Sequence, residues 1–154
     1  MRDIYLWWIG ADAADSRVLS AVRSAVERTF GRTVHFWNGR DRPADAFDAR
    51  RVRLADVDLF IPILTFVFGE AQLDGAAAVV STARLRTNHG TSNMRLLISR
   101  LAKECVHELG HTFGLYHCHQ FECVMRSSTY VEEIDLKRAG FCPACAERLA
   151  EVHA

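Results

Sequence analysis

Residues 107–118 read HELGHTFGLYHC, and no other stretch restricts the fold of this chain as tightly. His107 and His111 are four residues apart, which on a helix sets two imidazoles about 40° apart around the axis and lets both reach one ion. Glu108 projects near the same face, where a carboxylate can touch a water without displacing it. Gly114 falls where such a helix has to end, because glycine turns left-handed at little cost. His117, three residues further on, then brings a third imidazole from outside the helix. Three neutral nitrogen ligands leave one position of a tetrahedral zinc open, the arrangement of a catalytic site. Two solvated histidines on a surface helix would explain the first five residues alone. Adding a glycine and a third histidine at fixed offsets cuts the chance expectation by roughly several hundredfold and removes that explanation.

The cysteines form a second constellation. Cys118, Cys123, Cys142 and Cys145 give C-x4-C, a gap of eighteen residues, then C-P-A-C. Two close pairs separated by a loop are how four thiolates meet around a structural zinc. Pro143 can start a last helix just inside Cys142, and amides at a helix N-terminus favour thiolate. A redox CxxC competes with this reading, but the strand–CxxC–helix setting of such a motif is missing. His119 could replace a cysteine, yet the four-thiolate set is complete without it. Cys105, the odd one of five, lies on an apolar stripe with Leu97, Leu101 and Leu109 and is expected to pack as a small hydrophobe.

The remaining pattern alternates strands and helices. Ile4 to Ile9 reads as a buried first strand. Val18, Val22, Ala25, Val26 and Phe30 recur at helical spacing, with Asp15 or Ser16 as cap and Gly31 as stop. RTVHFWN (32–38) is a second strand, and 39–51 is polar and irregular with room for a short helix. DLFIPILTFVFG (58–69) is expected to be a third strand, held to an edge or a late start by Pro62. AAAVVSTARL (76–85) is a fourth. A long helix follows, capped by Thr91 or Ser92. The 154 residues fit one domain of α/β (α+β) class, and 49% apolar residues can build a substantial core.

With nineteen basic and nineteen acidic residues the net charge is zero, which supplies no basic face for nucleic acid or an anionic membrane. Apolar stretches fall short of the ~20 residues that span a bilayer. The first ten residues lack the cleavage site of a signal peptide. The expected compartment is the cytoplasm, where thiols stay reduced.

HExxHxxGxxH followed at once by C-x4-C-x-M and later by C-x-x-C resembles the signature of the archaemetzincins, within the metzincin clan of zinc peptidases. The match runs through His107, Glu108, His111, Gly114, His117, Cys118, Cys123, Met125, Cys142 and Cys145, 39 of the 154 residues. The resemblance implies a metzincin-like fold: a twisted mixed sheet with an antiparallel edge strand, a long active-site helix and a small zinc-stapled C-terminal subdomain. It divides the single domain at 116/117. It makes Met125 the Met-turn residue, and it places the substrate-aligning edge strand in Ala76 to Ala83. Tyr130 does not match the spacing of metzincin tyrosines and is left outside the site.

The expected chemistry is metal-assisted peptide hydrolysis, by an aminopeptidase or a peptidase of restricted specificity. Two zinc ions per chain are expected: one catalytic, on His107, His111 and His117, and one structural, on the four cysteines. Glu108 would be the general base. Peptides are the expected partners. A zinc-stabilised binding module with a latent histidine site is the rival reading.

Overall fold

The computed structural model describes residues 3–10, 14–37, 49–86 and 93–153. In chain order its elements are β1 (Ile4–Trp8), α1 (Ser16–Phe30), β2 (Val34–Trp37), β3 (Arg50–Ala55), β4 (Leu59–Ile61), β5 (Leu64–Val67), β6 (Gly69–Ala71), β7 (Ala77–Ser81), α2 (Met94–Thr112), α3 (Val131–Asp135) and α4 (Pro143–His153). Five strands form one sheet in the order β2-β1-β3-β7-β6. All neighbours are parallel except β6, which runs antiparallel to β7 at the edge.

Side chains alternate across each strand, so one face of the sheet collects Ile4, Leu6, Val52, Leu54, Ala78 and Val80, all buried. Both long helices pack on that face. α1 contributes Val18, Val22, Ala25, Val26 and Phe30. Asp15 caps it by accepting from the Arg17 amide at 2.8 Å, and Gly31 ends it at φ 61°. α2 is capped by Asn93, whose side chain accepts from the Leu96 amide at 3.2 Å. The expected caps Thr91 and Ser92 lie outside the described residues.

Residues 101–110 of α2 are buried all round, because the sheet covers one side and the C-terminal segment the other. Leu97, Leu101, Cys105 and Leu109 form the expected stripe. On the far side Arg100 grips Asp135 with two bonds of 2.8 and 2.7 Å. Lys103 Nζ donates to the carbonyls of Ile134 and Asp135 at 3.0 and 3.3 Å, so α3 is tied to α2 by charge and by its own C-terminal carbonyls.

Three expectations are corrected. Residues 58–69 are not one strand: β4 and β5 form a separate antiparallel hairpin that turns at Pro62 and Ile63, and β6 follows. Pro62 lacks the N–H a continuing ladder needs. The edge strand is β6, not a strand within Ala76 to Ala83, because Ala77–Ser81 sits between β3 and β6 and owes its apolarity to that burial. β3 is not legible in the sequence pattern at all. Arg51 and Arg53 alternate with Val52 and Leu54, so the strand reads as polar although its inner face is core. Arg53 lies on the outer face, over the Trp7 ring at 4.6 Å. Most of the irregular stretch 39–51 lies outside the described residues, and Arg50 and Arg51 begin β3. Among the described residues no helix is long and apolar enough to cross a membrane.

Candidate active site and metal centres

α2 ends in a Schellman turn. The Leu115 amide donates to the Gly110 carbonyl at 3.0 Å and the Gly114 amide to the His111 carbonyl at 2.9 Å, with Gly114 at φ 84°. This reversal returns His117 towards the helix it has just left. One ring nitrogen from each of His107, His111 and His117 lies within 4.8 Å of the others. His107 Nδ1 donates to the Val124 carbonyl at 2.8 Å, and His111 Nδ1 to the Leu115 carbonyl at 2.7 Å. A carbonyl only accepts, so both rings carry their proton on Nδ1 and leave the Nε2 lone pair free. Those two Nε2 atoms are 3.1 Å apart. Two lone pairs facing each other repel unless a cation lies between them, so the donor set fits a metal ion. Burial lowers the pKa of all three histidines, that of His107 furthest, and so keeps them neutral.

Glu108, on the same turn of helix as His107, lines a cleft of about 620 Å³ together with the three histidines. Burial raises its carboxyl well above the usual range, Glu104 and Glu70 add to the rise, and Lys137 opposes it. β6 forms one side of the cleft, and the hairpin contributes Ile61, Leu64 and Phe66. Gly69 opens β6. A Cβ there would stand 2.7 Å from both Cγ and Oε1 of Glu108, so only glycine leaves the carboxylate its place.

Gly110 has a matching role inside the helix. A Cβ on it would collide with Met125 Sδ and come within 3.0 Å of Met125 Cε. Met125 is fully buried, at the end of a turn closed by the Arg126 amide on the Cys123 carbonyl at 3.0 Å. The same short segment touches both constellations. Val124 accepts from His107, and Met125 accepts from the Cys118 amide at 2.9 Å.

The sulfurs of Cys118, Cys123, Cys142 and Cys145 also gather within 4.8 Å of one another, with Cys118 and Cys142 at 3.7 Å. All five cysteines are free thiols. Cys142 sits at the N-terminus of α4, as Pro143 implies. Burial pushes its thiol up, but the Cys145 amide and the neighbouring thiols outweigh that and bring it to about 7. His117 and Cys118 therefore belong to different groups although they are adjacent. Cys105 is fully buried in the core. His119 joins neither group, and Tyr130 is exposed at the start of α3 and does not line the cleft.

Four residues here are not apparent from sequence reasoning. Gly69 and Gly110 act by what they leave empty, and only the x positions of the helical motif hint at Gly110. Glu104 and Lys137 are buried charges lining the cleft. A glutamate one turn before Glu108, among apolar residues, is the one available signal.

Comparison with known proteins agrees with this geometry. The family model described as Peptidase family M54 matches residues 11–151. The archaemetzincin of Methanopyrus kandleri is 46% identical over 100 residues, covering 65% of this chain and 55% of that protein. The archaemetzincin of Thermococcus kodakarensis is 46% identical over 100 residues, 64% of this chain and 54% of that one. The aligned stretch thus spans about half the length of these curated relatives. The crystal structure of the M. kandleri archaemetzincin superimposes with a TM-score of 0.80 at 30% identity, covering 98% of this chain and 96% of that one. That of the Archaeoglobus fulgidus archaemetzincin, complexed with malonate, gives 0.78 at 29% identity over 95% and 99%. With its mixed sheet, antiparallel edge and clustered histidines and cysteines, this chain belongs to peptidase family M54, the archaemetzincins.

Proposed function

We propose that the protein is a zinc-dependent metallopeptidase, with a catalytic zinc on His107, His111 and His117 and a structural zinc on Cys118, Cys123, Cys142 and Cys145, two ions per chain. The observation that carries this reading is the Glu108 carboxylate, which shares one cleft with three imidazoles, two of them in tautomers that leave Nε2 free. A purely structural metal site has no use for a buried carboxylate beside it. Three neutral nitrogens with an open side suit catalytic zinc, and four sulfurs suit a closed structural site.

Held by His107, His111 and His117, zinc would supply Lewis acidity for a scissile carbonyl and would make water more acidic near neutrality. Glu108 takes the proton of the attacking water and hands it to the departing amine. Its raised pKa suits both halves of that transfer. Among the described residues β6 has a neighbour on one side only, so its backbone edge aligns an extended peptide by strand addition. Met125 packs where Gly110 leaves room and fixes the carbonyls that orient His107 and Cys118. Gly114 turns the chain so that His117 can return. In this reading residues 1–116 carry the sheet and the helix, and residues 117–154 carry the Met-turn and the cysteine site.

The cleft, flanked by the β4–β5 hairpin, suits an aminopeptidase or a peptidase of restricted specificity rather than a general protease. Free thiols throughout suit a reducing compartment such as the cytoplasm. The test pairs metal analysis with a peptide-library assay on wild type and Glu108→Gln. Two zincs in both proteins are expected, with hydrolysis reduced by about 10²–10⁴-fold or more in the variant. Equal turnover by the two proteins would remove Glu108 from the mechanism.

A further inference from the structure

Among the described residues, two buried polar atoms of side chains that line the cleft have no hydrogen-bond partner. Glu104 lies one turn before Glu108 on α2 and is 4% exposed, and its Oε1 has no hydrogen-bond partner. Lys137 is also 4% exposed. Its Nζ forms an ion pair with Glu104 Oε1 at 3.8 Å, longer than a hydrogen bond, and donates to the Val124 carbonyl at 3.5 Å. Ser128 Oγ is buried and without a partner as well. All three residues line the cleft that contains Glu108 and the histidines. Buried polar groups are nearly always paired, so an unpartnered carboxylate oxygen and an unpartnered hydroxyl, lining one cleft with an ammonium held only by a long bond and a long ion pair, suit a polar ligand.

We infer that Glu104, Lys137 and Ser128 form the subsite for one substrate side chain next to the scissile bond, and that this side chain is a carboxamide, glutamine in preference to asparagine. The inference rests on the peptidase reading and names its substrate class.

The chemistry selects the amide. An apolar side chain would leave the Glu104 oxygen and the Ser128 hydroxyl without hydrogen bonds. A cation would pair with Glu104 but face the Lys137 ammonium, and an anion would pair with Lys137 but face Glu104 and Glu108. A carboxamide carries an acceptor and a donor on one planar fork, so its oxygen takes the Lys137 proton while its NH2 donates to Glu104. Glu104 and Glu108 are four positions apart on the helix, about 6 Å along the axis, which asks for the longer of the two amide side chains.

The test uses zinc-loaded protein and pentapeptides of alanine in which one position in turn carries Gln, Asn, Glu, Lys or Met. For wild type, kcat/KM for Gln at one position adjacent to the cleaved bond should exceed that for the near-isosteric Met and Glu by about tenfold or more. Lys137→Met should move the preference towards Lys, since Glu104 is left alone, and Glu104→Met should move it towards Glu. Opposite shifts of ranking are not produced by two residues that merely hold the fold. Cleavage with no preference for Gln in wild type overturns the subsite while leaving the peptidase reading intact. If no peptide is cleaved, calorimetry on the same series decides. Tighter binding of the Gln peptide supports the subsite without the peptidase reading, and equal or absent binding overturns the subsite. Should either variant fail to fold, the wild-type series alone decides between these outcomes.

Discussion

Gly110→Ala sets two effects of known sign against each other. In the middle of an ordinary helix this change stabilises by about 1 kcal/mol, because alanine loses less backbone freedom on folding. Here the new methyl would enter the space of Met125 Sδ, with the Phe141 ring edge at 3.4 Å behind it. Met125 is fully buried, so its thioether has no solvent to move into. Overpacking of a filled core costs about 1–3 kcal/mol, which exceeds the helix gain. The expected net loss is about 1 kcal/mol, or a melting temperature lower by about 2–4 °C for a chain of this size. The displacement also travels. Moving Met125 disturbs the Val124 carbonyl that holds His107 and the Met125 carbonyl that holds the Cys118 amide, so affinity for the histidine-site zinc should fall too. Urea denaturation at fixed free zinc gives the stability, since metal binding itself shifts it. Met125→Ala alone should cost about 2–5 kcal/mol through the cavity it leaves. In the double variant the methyl partly fills that cavity, and the loss should be at least about 1 kcal/mol smaller than the sum of the single losses. Additive losses, or a Gly110→Ala protein more stable than wild type with unchanged zinc affinity, would show that the two residues do not compete for space.

Gly69→Ala should leave secondary structure and zinc content intact but lower kcat about tenfold or more, since the methyl occupies the position of the Glu108 carboxylate. Wild-type turnover by this variant would mean that Glu108 works from elsewhere. Cys142→Ser should reduce the zinc count from two to one and expose residues 117–154 to proteolysis; an unchanged count would refute the four-thiolate site. Asp15 has its carboxyl lowered from 3.8 to about 2 by the Arg17 side chain and amide. A depressed folded pKa means its capping contribution is present above about pH 4 and lost as the pH falls towards 2. An NMR titration placing the Asp15 midpoint at 3.8 or above would contradict the cap.

What is legible in the sequence is set by local chemistry. The histidines, the two cysteine pairs, Gly114 and Pro143 are patterned over a few residues, and the structure gathers the histidines in one cluster and the cysteines in another. α1 needs only its own apolar period and its two ends. What is not legible depends on partners distant in the chain. β3 looks polar because its outer face carries Arg51 and Arg53, and the sequence does not say which side of a strand the helices cover. The run 58–69 is apolar enough for one strand, and only the chain's path past Pro62 divides it into hairpin and edge. Periodicity gives strands but not their order, so it does not show that Ala77–Ser81 lies inside the sheet and that β6 is its edge.

The adjacency of His117 and Cys118 sharpens that contrast into a statement about how the site is built. Neighbouring residues in extended chain project to opposite sides, so one dipeptide serves two constellations without sharing a ligand. No helix or strand holds this dipeptide in place. Residues 115–120 carry no regular structure, and their anchors are the Leu115 and Cys118 backbone bonds and the two clusters themselves. Cys118 is fixed by three cysteines, two of which come from the start of α4, and His117 is thereby fixed one residue away. The position of the third histidine thus depends on residues 142–145, far from the helical motif that first announces it. A chain that kept the motif but lost the distal CPAC would keep a complete set of catalytic residue types without the means to assemble them.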